Sequence, residues 1–222
     1  VVVDGRGAWE ATTLWRGEGG DCRLVDSYSH PYSLGMFYAA FTDYLGFRRN
    51  SDEWKVMGLA PYGKPGVDLS RFMTLNGNAY RVQSRPVMGS HYGDVRAIEA
   101  VFGPKRVPES DLGDIHKDIA WAVQDACEAA MEALARRVVE MTGMRRLCLA
   151  GGVALNAKAN GRILASGIVE DLFIQPAGQT PVYYHFIINP KNVLWDARWS
   201  DRDHLGYNAA ARTAAKVGNG EW

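Results

Sequence analysis

Apolar positions along the chain recur with two different periods, and their alternation predicts a mixed α/β fold. Val1, Val2 and Val3 predict a buried strand, ended by Asp4, Gly5, Arg6 and Gly7. Residues 8–16 alternate loosely through Trp9, Thr13 and Trp15 and fit the second strand of a hairpin. A glycine-rich turn at 17–21 and a further strand at 24–28 follow. From 33 to 45 the period changes: Leu34, Phe37, Tyr38, Phe41, Tyr44 and Leu45 lie three and four apart, predicting a helix capped by Gly46. Residues 52–59 predict a short helix, closed by 60–65. Residues 66–113 are rich in Gly, Pro and Arg and weakly patterned, with small strands expected only within 72–82. Asp114 is the expected cap of the longest helix, 115–142, whose stripe is Ile119, Val123, Cys127, Ala130, Met131, Leu134, Val138 and Met141. Gly143 ends it. A strand at 146–150, a helix over 154–164 and a strand at 171–175 complete the α/β succession. The remainder, 178–222, carries one expected strand at 181–188 and otherwise no clear period.

The chemistry concentrates where the strand at 146–150 stops. Residues 148–156 read Cys-Leu-Ala-Gly-Gly-Val-Ala-Leu-Asn. A strand that turns through two glycines into a helix brings bare backbone near a ligand, because no Cβ intervenes. Helix-end N–H groups can then face a phosphate or nucleotide. In open α/β sheets ligands bind beyond the carboxyl ends of the strands, which is where Gly151 and Gly152 fall.

Composition narrows the partners. A hydrophobic share of 47% with 23% charged residues is ordinary for a folded soluble domain, so a packed core is expected. Formal net charge is zero, which removes the electrostatic case for nucleic acid. No apolar run approaches the roughly 20 residues that a membrane helix needs. Cys22, Cys127 and Cys148 show no CxxC spacing and read as reduced thiols of a cytoplasmic protein, with Cys127 and Cys148 packed in the core.

Three ordered motifs together resemble the O-carbamoyltransferases of the nodulation-protein and antibiotic-tailoring type. They are Val-Asp-Gly-Arg-Gly-Ala-Trp-Glu at 3–10, Asn-Ser-Asp-Glu-Trp-Lys-Val-Met-Gly-Leu-Ala-Pro-Tyr-Gly at 50–63, and Leu-Ala-Gly-Gly-Val-Ala-Leu-Asn at 149–156. His-Lys-Asp-Ile-Ala at 116–120 and Gln-Pro-Ala at 175–177 also fit. The resemblance covers residues 1–177, leaving 178–222 as a divergent tail. It implies the actin/sugar-kinase/heat-shock-ATPase (ribonuclease H-like) fold, in the branch shared with the tRNA threonylcarbamoyl transferases. It also implies a reaction. A carbamoyl adenylate, made from carbamoyl phosphate and ATP by a YrdC-like domain, gives its carbamoyl group to a hydroxyl of a sugar or small natural product.

Residue roles follow from the motif positions. Asp4 corresponds to a ligand of the family's iron-like divalent metal; on its own it would bond the N–H groups of its turn. Gly5 and Gly7 allow close phosphate approach, and Arg6 either pairs with phosphate oxygens or sits at the surface. Glu53 and Lys55 either line the nucleoside or form a solvated ion pair. Gly151 and Gly152 pass under adenosine or its phosphates, and Asn156 bonds ribose or phosphate or else faces solvent. No catalytic residue stands out. His116 and His30 read as cap or structural residues, and Trp9, Trp15 and Trp54 as packing groups able to shape a pocket.

The rest of the family pattern is expected elsewhere. Two metal-ligating histidines in an HxxxH motif are expected upstream of Val1, so an upstream segment is expected, and by the resemblance the second ligating Asp is missing or replaced near Gln179. No YrdC-like domain is contained in the sequence. Two other readings remain: an ATPase or kinase of the same superfold, or an inactive, partner-dependent module.

Overall fold

A computed structural model describes residues 1–5, 9–88 and 94–175. Arg6, Gly7, the tail and its expected strand at 181–188 lie outside the described residues.

The first three strands form an antiparallel meander: β1 Val2–Val3, β2 Glu10–Glu18 and β3 Asp21–Ser29, in the order β1-β2-β3. The β2–β3 turn narrows to Gly19 and Gly20, both at positive φ (60° and 90°). That demand explains the glycine pair and tightens the turn: β2 keeps nine residues but lies two further along than the expected 8–16, and β3 runs to nine residues where 24–28 was expected. The last strands, β6 Arg146–Leu149 and β7 Asp171–Ile174, pair in parallel. β1 joins the two groups through a parallel bridge, Val2 to Ala150, with Val3 N–H donating to Ala150 O at 2.9 Å. The strands therefore follow one another as β3-β2-β1-β6-β7, and only β2 runs against the others.

Helix α1, Leu34–Tyr44, is buried nearly all round. Its Ser33 cap accepts from Met36 N–H at 3.1 Å, and the same hydroxyl lies within hydrogen-bond reach of both Asp4 O and Gly5 O. One side chain thus anchors the start of α1 to the turn that ends β1. Phe37, Phe41, Phe72 and Phe102 form a chain of ring contacts through the core, with centroids 5.2–6.5 Å apart.

Helix α2, Glu53–Leu59, runs into a 3₁₀ turn, Ala60–Tyr62, and is followed by the hairpin β4 Met73–Asn76 and β5 Ala79–Val82. Two short helices, α3 Ser84–Met88 and α4 Arg96–Phe102, occupy sequence with no visible period. Helix α5, Asp114–Thr142, buries the expected stripe apart from Met141, which is 46% exposed. Its cap is Gly113, not Asp114. The imidazole Nδ1 of His116 accepts from Gly113 N–H at 3.0 Å, while the Asp114 carboxylate pairs with Lys117. The helix ends at Gly143 with φ of 71°, as its sequence predicts.

The Gly-Gly turn does not lead straight into a helix. A 3₁₀ turn, Gly152–Leu155, comes first, and α6, Ala157–Ala165, starts only after Asn156 caps it by accepting from Ala159 N–H at 3.0 Å. Among the described residues no helix is long and apolar enough to cross a membrane.

Candidate functional site

The turns that leave the parallel strands β1 and β6 lie side by side at their carboxyl ends. They open onto a cleft of about 390 Å³. Asp4 and Gly5 from the first turn line it, as do Gly152, Val153, Leu155 and Asn156 after the second. Gly35, Tyr38 and Ala39 of α1 and Cys127 of α5 form the inner side. Asn50, Ser51, Glu53, Trp54 and Met57 supply the wall opposite. Five residues selected from sequence, Asp4, Gly5, Glu53, Gly152 and Asn156, thus come together from positions up to 152 residues apart.

The two glycines at 151 and 152 do different work. Gly151 has φ 92° and ψ 168°, and a Cβ built on it would stand 2.3 Å from Val3 O. It packs the β6 turn against β1 and does not line the cleft. Gly152 does line it: a Cβ there would point at Asp4 Oδ1, 3.3 Å away. Gly35 is a third close approach, since its Cβ would meet Gly5 Cα and N at 2.7 Å. The absence of side chains at 35 and 152 lets α1 and the 3₁₀ turn close on the Asp4–Gly5 backbone from both sides.

Asp4 Oδ1 accepts from Gly5 N–H at 2.7 Å, the self-contained turn bond that a turn aspartate makes without a ligand. Among the described residues no three His, Cys, Asp or Glu side chains assemble as a metal needs. Asp4 alone does not fit a resident metal ion.

On the opposite wall, Glu53 Oε1 accepts from Asn50 N–H at 2.6 Å, fixing Asn50 at φ 61°. Lys55 is turned elsewhere. It pairs with the buried Asp52 at 3.1 Å and lies over the Phe47 and Trp54 rings. The Asp52 carboxylate also accepts from Arg48 N–H. That bond first, then Lys55 and Arg48, holds it below the usual carboxylate range. Asp52 therefore organises the 48–52 loop that presents Asn50 and Ser51. The ion pair expected near Glu53 exists, but Asp52 makes it.

Asn156 faces the cleft with its amide already engaged. Oδ1 accepts from Ala159 N–H and from Gln124 Nε2 at 2.9 Å, Nδ2 donates to Gln124 Oε1 at 3.0 Å, and Cys127 Sγ lies 4.0 Å from Nδ2. It neither bonds solvent alone nor stands free for a ligand; it fixes the floor. Gln124 is the partner that sequence reasoning missed. Its Oε1 also accepts from Tyr38 OH at 2.7 Å, and its Nε2 donates to Glu128.

Cys127, beneath this floor, is fully buried, and all three cysteines are unpaired thiols. Burial, reinforced by the Glu128 carboxylate, pushes the Cys127 thiol up to about 12 from its ordinary 9.0. A neutral thiol is not a nucleophile, so the core reading holds for Cys127; Cys148 is only partly buried. Cys127 is expected to resist iodoacetamide at pH 8 in the folded chain and to alkylate in urea, as mass spectrometry of the peptides will show. Because the folded-state pKa is raised, its contribution to stability is complete below 9.0 and is lost as pH rises towards about 12. Burial raises Tyr38 and Tyr80 as well, so denaturation midpoints should fall on the alkaline side.

Arg6 and Gly7 lie outside the described residues. Trp54 borders the cleft while 63% exposed, and Trp9 is 80% exposed and outside it.

The geometry coincides with a family signature. A model of the carbamoyltransferase N-terminus matches residues 1–180. An uncharacterized Synechocystis protein is 40% identical over 184 residues, covering 80% of this chain and 30% of its own length. Nodulation protein NolNO of Sinorhizobium fredii is 35% identical over 181 residues, covering 80% and 25% respectively. Nodulation protein NolO of Bradyrhizobium diazoefficiens is 35% identical over 180 residues, covering 79% and 31%. The chain thus spans less than a third of the length of these relatives. With four-fifths of its residues matched and the three motifs gathered at one cleft or its seam, the chain belongs to the carbamoyltransferase N-terminal family.

Proposed function

We propose that the cleft is the nucleotide side of a carbamoyl-transfer site, in the N-terminal part of a larger O-carbamoyltransferase. The observation that carries this reading is the convergence of Asp4, Gly5, Glu53, Gly152 and Asn156 on one cleft at the carboxyl ends of two adjacent parallel strands. The same arrangement supports the actin-like, ribonuclease H-like fold that the resemblance implies. The cleft volume suits a ligand of nucleoside size.

The bound species would be ATP or a carbamoyl adenylate, which supplies an activated carbamoyl group. Gly152 and Gly5 leave room for the phosphate backbone to approach the main chain. Glu53, with one oxygen on Asn50 N–H, keeps its other oxygen for ribose hydroxyls. Trp54 and Met57 offer apolar surface to the base, and Asn156 holds the floor in shape. The acceptor is a hydroxyl of a sugar or small natural product. A YrdC-like domain is the partner that would form the adenylate from carbamoyl phosphate and ATP. Residues 1–177 form the catalytic-domain segment and 178–222 a separate tail. The parent acts in the cytoplasm. The metal belongs to the complete family domain, and no step here passes through it.

Titration calorimetry of the 222-residue chain with ATP and a non-hydrolysable acyl-adenylate analogue tests the reading. Gly152→Trp fills the cleft beside Asp4 and should weaken nucleotide binding by about tenfold or more. Unchanged affinity in that variant would remove the assignment.

A further inference from the structure

A second concavity, of about 490 Å³, shares no lining residue with the first and takes in Tyr32, the neighbour of Ser33. It is lined by Tyr32, Ser70, Arg71, Arg81, Gln83, Ser84 and Arg85. The β4–β5 hairpin assembles it. Met73 pairs with Val82, and Gln83 N–H donates to Phe72 O at 2.8 Å. This register sets residues 70–72 beside residues 83–85. On β5 the buried Tyr80 and Val82 flank Arg81, which therefore projects from the outer face.

Three guanidinium groups share this hollow, and among the described residues no carboxylate pairs with any of them. Seven other arginines among the described residues, from Arg16 to Arg162, do form ion pairs. The nearby Asp68 carboxylate is occupied by Ser70 N–H and Oγ, at 2.8 and 2.9 Å. Like charges collected in one hollow repel one another, and an anion placed among them relieves that repulsion. Guanidinium forks match tetrahedral oxyanions in geometry, and hydroxyl and amide groups at Ser84 and Gln83 can complete the oxygen contacts. The Tyr32 ring, 43% exposed, adds an apolar wall for an organic substituent.

We infer that Arg71, Arg81 and Arg85 form an oxyanion site for the phosphoryl group of a small molecule, separate from the cleft of Asp4 and Gly152. This inference does not depend on carbamoyl transfer. Its test uses inorganic phosphate and pyrophosphate as probes, titrated calorimetrically into the 222-residue chain in chloride buffer. Saturable binding is expected, tighter for pyrophosphate. The double variant Arg81→Ala/Arg85→Ala should weaken it by about tenfold or more, and Arg71→Ala by less. These side chains are exposed, so the variants should keep the wild-type melting temperature. Gly152→Trp, which blocks the other cleft, should leave the probes' affinity unchanged, so the two sites fail independently. Absence of saturable binding, or binding undiminished in the double variant, overturns the site. A single-stranded oligonucleotide that binds more tightly than pyrophosphate, with affinity collapsing as salt rises, would also overturn it by marking a polynucleotide surface.

Discussion

Gly151→Ala should lower the unfolding free energy by about 4 kcal/mol or more, a large part of the 5–15 kcal/mol typical of a domain. Two independent costs combine. The backbone at φ 92° and ψ 168° lies in a region essentially reserved for glycine, and placing a Cβ there costs about 1–3 kcal/mol. That Cβ would also stand 2.3 Å from Val3 O and 2.8 Å from Val3 C, both main-chain atoms that cannot swing aside. Relief requires β1 to move from β6, which strains the Val3–Ala150 and Ala150–Val1 bonds and the Val2–Ala150 bridge that join the two strand groups. Gly167 is the control. Its φ is 68°, yet nothing lies within 4 Å of the added carbon, so Gly167→Ala should cost only the backbone strain, about 1 kcal/mol. Urea denaturation of both variants isolates the overlap. A Gly151→Ala chain within about 1 kcal/mol of Gly167→Ala would show that the seam yields easily.

How much of this was legible in the sequence follows from the range of each interaction. The Gly-Gly turn was readable because an apolar run that stops at two glycines is a local signal. The glycines that end helices were readable for the same reason: Gly143 caps α5, and Gly46, at φ 77°, follows the Leu45 cap of α1. Helices α3 and α4, of five and seven residues, are too short to display a period, though Val87 and Ile98 are fully buried. The delayed start of α6 is masked in the sequence because an asparagine after a Gly-Gly turn suits a ligand group and a helix cap equally, and here it caps. Lys55 could have been set aside from spacing alone. Residues two apart on a helix point about 200° from each other, so Glu53 and Lys55 cannot both face one cleft. Met57, four beyond Glu53, does face it. Gly35 and Gln124 carried no local mark: their significance comes from Gly5, 30 residues back along the chain, and from Tyr38 and Asn156, 86 and 32 residues away.

Gln124 leads to the second large effect. It is 3% exposed, and its whole hydrogen-bonding capacity is used: Oε1 accepts from Tyr38 OH and Asn156 Nδ2, and Nε2 donates to Asn156 Oδ1 and Glu128 Oε1. Gln124→Leu preserves the approximate volume and removes all four bonds. Asn156 is only partly buried at the cleft and regains water there, whereas Tyr38, though it lines the inner side, is 5% exposed and its hydroxyl is left without a partner. An orphaned buried hydroxyl costs about 1–3 kcal/mol, so the variant should be destabilised by about 2–4 kcal/mol in all. Removing that hydroxyl as well should recover part of the loss. The double variant Gln124→Leu/Tyr38→Phe is therefore expected to be more stable than the sum of the single effects, by about 1 kcal/mol or more. Strict additivity would mean that Tyr38 and Gln124 are not coupled as the 2.7 Å bond indicates. The same substitution frees the Asn156 side chain to rotate at the cleft floor, so nucleotide affinity should fall in Gln124→Leu even under conditions where the chain is fully folded. A destabilised variant that binds nucleotide as well as the wild type would confine this network to stability and separate it from the site above it.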